Sequence, residues 1–208
     1  MVATAKNIKN KSDNKNGEKI SWKAFQREYL TREDNFKYEW VNGEVEKTLR
    51  FELPNVKSDA QPNATTMHES QFFILDNLLE FFIQLKIEKG IDGQLIPEGD
   101  TFFGSQHRRP DIAYYTKKQI REAKKTQLKQ PPQFIIEIIS TNDQANLVNR
   151  KMMDYRAVNV PVVWLIYPKL KEVHIYHGKN MVIMDGNDAC SAESVIEGFV
   201  ISVKDVFK

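Results

Sequence analysis

The residues best suited to chemistry in this chain are two acids and a lysine. Glu137 lies in "QFIIEIIS" (133–140), a run whose isoleucines read as a central strand buried on both faces. An unpaired ionised carboxylate there costs several kcal/mol, so a partner is required. Asp111 follows Pro110 in "RRPDIAYY", where the proline biases its predecessor to extended geometry and suits a strand start. If the two strands are neighbours, the carboxylates can share one ion, and hard oxygen ligands favour magnesium or manganese over zinc. A divalent ion would neutralise both acids, polarise a phosphoryl oxygen and lower the pKa of a coordinated water. The bland alternative is a Glu137 held in a salt bridge that only fixes strand pairing.

Lys151 is the third group. On a strand over 134–139, Ile135, Glu137 and Ile139 share a face. A lysine at 139 would complete a common nuclease arrangement, but the residue is isoleucine. Lys151, on a predicted helix over 143–158, has Leu147, Val148, Asp154 and Tyr155 as its neighbours at three and four positions. It therefore sits at the edge of the buried stripe, able to orient an attacking water or stabilise charge on phosphorus. A snorkelling lysine with a wet tip is the competing reading. His107, Arg108 and Arg109 precede Asp111, and Lys117, Lys118, Arg121, Lys124 and Lys125 recur downstream at near-helical spacing. These cations suit phosphate-backbone contacts to DNA, or else form a solvated basic helix.

The elements that must position these groups follow from pattern. Ser21 is an N-cap for a short helix carrying Trp22, Phe25 and Tyr29. "FKYEWVNGEVEKT" alternates around Asn42-Gly43, the strongest two-residue hairpin signal. That turn sets Glu39 opposite Glu46 with Glu44 diagonal, so the face is either solvated or lines a cation site. A long helix is predicted from Thr66 to Lys89, with Phe72, Leu75, Leu79, Phe82 and Ile83 facing the core, ended by Gly90 and Gly93. Residues 94–116 read as further strands. Strand 134–139, helix 143–158 and strand 162–167 form a crossover unit with parallel strands, and strand 172–177 follows. The terminal "GFVISVKDVF" alternates like an edge strand or closing turn.

Composition sets the frame. With 208 residues, 41% hydrophobic and 28% charged, the chain fits one ordinary soluble domain over 20–208, preceded by a disordered Lys/Asn-rich tail over 1–19. A net charge of +2 demands no polyanionic partner globally, so any nucleic-acid surface is local. The single cysteine, Cys190, cannot form an internal disulfide and sits in a polar stretch without a nearby histidine, which argues against a thiol nucleophile. No signal-peptide core or apolar run of the roughly 18–20 residues needed to span a membrane occurs, and the expected location is the cytoplasm. His68 and His107 are too scattered for a zinc site and read as structural. Met152, Met153 and Trp164 read as core. No Walker-type or dinucleotide motif appears.

"RPDIAYY", "PPQFIIEIIS" and "NRKMMDYRAVNVPVVWLIYP", together with "YEWVNGEVEK", His68 and "GFVISVKDVF", give the chain a resemblance over about residues 21–207 to the Uma-type restriction endonucleases. These are bacterial proteins of the PD-(D/E)xK nuclease superfamily. The resemblance implies an α/β, restriction-endonuclease-like core: a mixed β-sheet flanked by helices, with an N-terminal β-hairpin. It implies a Mg2+- (or Mn2+-) dependent endonuclease acting on DNA, with Asp111, Glu137 and the backbone carbonyl of Ile138 as metal ligands. Lys151 matches a helix lysine that looks like a migrated substitute for the strand lysine, and Glu39 matches an acidic hairpin position approaching the metal. Analogy with nucleases that cut both strands adds a homodimer. The contrasting class is a non-catalytic nucleic-acid-binding or assembly module that keeps the scaffold, which Ile139 favours.

Overall fold

The computed structural model describes residues 19–32, 34, 36–49, 67–103, 105–126, 130–140 and 143–208; all but the last residue of the expected tail, and the side chain of His68, lie outside them. The chain begins with helix α1 (Trp22–Glu28), where Ser21 Oγ accepts from the Ala24 N–H at 3.2 Å, as an N-cap should. The hairpin β1 (Phe36–Val41) and β2 (Glu44–Leu49) turns at Asn42 (φ 53) and Gly43 (φ 87), the pair of positive φ values its two-residue turn requires. β4 (Thr101–Phe103) and β5 (Gln106–Arg108) extend it into a four-stranded antiparallel sheet, β2-β1-β5-β4.

A six-stranded sheet forms the centre, ordered β10-β9-β8-β7-β6-β3. Its strands are β3 (Gly93–Pro97), β6 (Ile112–Thr116), β7 (Phe134–Ile138), β8 (Val162–Tyr167), β9 (Glu172–His177) and β10 (Asn180–Asp185). All neighbours are antiparallel except β7 and β8, joined through helix α4 (Ala145–Ala157) in the expected parallel crossover. β7 is buried on both faces. Phe134, Ile136 and Ile138 pack with Trp164 on one side, and Ile135 and Ile139 pack with Met152, Tyr155 and Leu165 on the other. Helix α2 (Met67–Lys89), the pair β11 (Ala189–Ser191) and β12 (Val200–Ser202), and the one-turn helix α5 (Val203–Val206) cover the first side. α4 covers the second. Helix α3 (Lys117–Thr126) follows β6 directly. No helix among the described residues is long and apolar enough to cross a membrane.

Several expectations fail in instructive ways. α2 buries Ile74, Leu78, Phe82 and Leu85, whereas Phe72 (63%) and Ile83 (55%) are exposed. Apolar residues recur around most of the helix, interleaved with charged ones such as Asp76, Glu80 and Lys86, so periodicity alone does not select its inner face; fit against the sheet does. Met153 is 67% exposed, because α4 presents Met152 and Tyr155 to the core. Cys190 is buried in β11 rather than in a polar loop, and burial pushes its thiol up to about 12. That leaves the argument against a thiol nucleophile intact. β10 and β11 lie where no strand was expected.

Candidate functional site

Pro110 and the register of β6 against β7 make one end of the site. Ile112 lies opposite Ile136, so the same register carries Pro110 opposite Ile138. Proline has no N–H to continue the ladder. The Ile138 N–H instead donates to Asp111 Oδ2 at 2.7 Å, and the Ile138 carbonyl accepts from Gln71 Nε2 at 3.3 Å. The Pro-Asp step thus ends the pairing and turns a carboxylate onto the C-terminal end of β7, beside Glu137.

β1 supplies the opposite wall. Its period of two places Lys37 and Glu39 on one face, and both are buried. Lys37 Nζ lies 2.8 Å from Asp111 Oδ1. Glu39 accepts from the Arg109 N–H at 2.7 Å through Oε1 and from Arg108 at 3.1 Å through Oε2. α4 closes the pocket. Lys151 Nζ lies 3.1 Å from Glu137 Oε2 and 3.7 Å from Glu39 Oε1, while the Tyr155 hydroxyl, one helical turn on, donates to Glu137 Oε1. Buried Glu137 and Glu39 and the half-buried Asp111 therefore gather around the ammonium groups of buried Lys37 and half-buried Lys151.

The electrostatics follow from that count. Burial opposes ionisation of Glu39, but Lys151, Lys37 and Arg108 outweigh it and hold the carboxyl down to about 2. Burial likewise opposes the charge on Asp111, and Lys37, Lys151 and the Ile138 N–H overcome it, leaving the carboxyl below its usual range. Glu137 goes the other way: burial, reinforced by Asp111 and Glu39, raises it despite Lys151. Lys151 loses hydration on burial, but Glu137, Glu39 and Asp111 hold it charged well above the usual lysine range. Lys37 and Lys151 act on both Asp111 and Glu137, so the two acids belong to one charge cluster. Glu137 is therefore the acid of the cluster that burial and its acidic neighbours leave easiest to protonate.

Asp111, Glu137 and the Ile138 carbonyl offer hard oxygen donors of the kind magnesium and manganese take. Among the described residues no group of three or more His, Cys, Asp or Glu side chains could hold an ion.

Arg108 corrects one expectation. It is fully buried, with its guanidinium on Glu39, Glu46 and Asp154, the last at 2.6 and 2.8 Å, so it has no surface to offer a phosphate. The hairpin's acidic face is accordingly not solvated: Glu39 and Glu46 stand opposite each other because Arg108 lies between them. Arg109 is partly exposed and pairs with Asp100 at 3.2 Å. Lys117, Lys118 and Arg121 are exposed, but α3 starts at the far end of β6 from Asp111, ~20 Å along the strand. They do not flank the site as their sequence proximity suggested. His107 is a buried structural histidine, bonded to Asp100 at 3.0 Å and packed among Trp22, Phe25 and Phe102.

A model of the family described as "Uma2: Putative restriction endonuclease" matches residues 22–204. The chain belongs to this family. Among solved structures it is similar to the crystal structure of a "putative nuclease belonging to DUF820" from Anabaena variabilis ATCC 29413. That match has a TM-score of 0.63 and 16% sequence identity, over 82% of this chain and 89% of that one. At that identity the likeness is one of fold, and the fold is restriction-endonuclease-like. No curated protein matches the chain. Sequence reading singles out neither Lys37 nor Tyr155 as part of this cluster. Lys37 alternates with Glu39 on a strand whose other face is aromatic, and Tyr155 is four residues after Lys151, so a weak signal existed for each.

Proposed function

We propose that this Uma2 protein is a divalent-metal-dependent endonuclease that hydrolyses phosphodiester bonds in DNA. The observation that supports the reading is the placing of Asp111 and Glu137 in one charge cluster with Lys37 and Lys151 at the C-terminal end of β7. Magnesium or manganese, held by Asp111, Glu137 and the Ile138 carbonyl, would polarise a phosphoryl oxygen and acidify the attacking water. The chain's own residues do the positioning. Asp111 is fixed by the Ile138 N–H, and Glu137 is aimed by the Tyr155 hydroxyl. Lys151 holds its proton and presents a cation where charge develops on phosphorus, compensating for Ile139. Glu39 keeps Lys151 charged and in place rather than serving as a ligand itself. Arg109 and the α3 cations Lys117, Lys118 and Arg121 are assigned to DNA phosphates, the α3 group to phosphates well removed from the scissile one.

Plasmid nicking in magnesium or manganese tests the proposal. Asp111→Ala and Glu137→Ala should each abolish it, and cleavage that is metal-independent and survives both changes defeats the reading. A second reading has its own observation: Glu137 is already satisfied by Lys151 and Tyr155, as a structural ion pair would be. On that reading the chain is a non-catalytic module on a nuclease scaffold, and calorimetric titration shows no saturable manganese binding at millimolar concentration.

A further inference from the structure

Asp111 divides its two oxygens. Oδ2 is clamped by the Ile138 N–H at 2.7 Å, so Oδ1 is the oxygen turned to the pocket, and Lys37 Nζ sits on it at 2.8 Å. Lys37 comes from β1, across the pocket from α4, and its side chain is only 8% exposed. The two ends of this contact differ in mobility. Asp111 is pinned to the end of β7, whereas an ammonium on a four-carbon stem can swing by several ångströms without moving its strand.

We propose that Lys37 is a built-in placeholder: its ammonium and the divalent ion are alternative occupants of Asp111 Oδ1, and the ion binds by displacing the lysine. The inference rests on the metal-dependent reading above and adds a residue to it. Without the ion, Lys37 keeps the three-carboxylate cluster from carrying its full repulsion. With the ion in place, the displaced ammonium stays in the pocket, tethered to β1, and turns to a non-bridging phosphate oxygen of bound DNA. It thereby supplies a second cation beside Lys151.

This role makes two observables move in opposite directions, which a merely structural lysine would not. Manganese titration calorimetry on the full chain compares wild type with Lys37→Gln and Lys37→Arg. An opposite charge at hydrogen-bond distance changes a carboxylate's cation affinity by about one to three powers of ten, so Lys37→Gln should bind manganese about tenfold or more tightly. At saturating manganese the same variant should cleave more slowly, because the phosphate loses its cation. Equal or weaker manganese binding by folded Lys37→Gln overturns the placeholder role. If wild type binds manganese and Lys37→Gln gains nothing, only this inference fails; if neither binds, the metal-dependent reading fails with it. Should Lys37→Gln not fold, the wild-type protein carries the test. Its buried Lys37 ammonium gives a proton–nitrogen signal, identified by its absence from Lys37→Arg, that should shift on magnesium saturation. No shift at saturation overturns the proposal.

Discussion

Protonating Glu39 tests the charge cluster that builds the site. Its carboxyl is held at about 2 against a usual value of 4.5 because Lys151, Lys37 and Arg108 overcome the burial that opposes its charge. At 1.36 kcal/mol per unit, that depression corresponds to about 3 kcal/mol of folding stability. The sign is that of a group with a folded value below its unfolded one. The contribution is complete above 4.5 and is lost as pH falls toward about 2. Urea unfolding of wild type and Glu39→Gln, at about pH 7 and again at about pH 3, isolates it from the other acids. The variant should be about 3 kcal/mol less stable at the higher pH, and most of that gap should close at the lower one. An unchanged gap would mean that Glu39 gains nothing from the ammonium groups and that the hairpin's acids are solvated after all.

Arg108→Met removes the cation shared by Glu39, Glu46 and Asp154 and should destabilise the fold by about 3–5 kcal/mol in urea; a loss under about 1 kcal/mol contradicts the cluster. Glu137→Gln should raise the melting temperature of the metal-free protein while abolishing nicking. A raised carboxyl favours the fold below its unfolded value and loses that advantage as pH rises through the folded one, so the neutral amide removes a penalty at neutral pH. An unchanged or lowered melting temperature refutes this. Lys151→Met should cut the nicking rate by at least about a hundredfold, and Ile139→Lys in that background should restore part of it, since residue 139 shares the face of Glu137. No recovery in a folded double variant separates the helix lysine from the strand role assigned to it.

Much of the fold was legible because local backbone preferences encode it. The Asn42-Gly43 turn, the Ser21 cap, the parallel β7–α4–β8 unit and the strands from 94 to 116 all follow from short-range pattern and turn chemistry. The site was half legible. Asp111 and Glu137 were visible as acids on apolar strands, and Lys151 as a lysine at the edge of a buried helix face. Lys37 and Tyr155 were missed, and Arg108 was read as surface, because a long polar side chain shows in sequence only as exposed or anomalous, never as paired. α2 differs for the converse reason: with apolar and charged residues interleaved around the helix, periodicity finds little phase to detect.

What the sequence determined by itself is the order and type of the elements and the presence of two acids that required cations. What the tertiary structure alone decided is which cations answer them. Lys37 and Lys151 arrive from β1 and α4, segments far apart in the chain, and only the packing of the hairpin sheet and α4 over the end of β7 brings them to Asp111 and Glu137. The physical reason is that backbone geometry is set within a few residues. The burial and pairing of a charge depends on every element that closes around it.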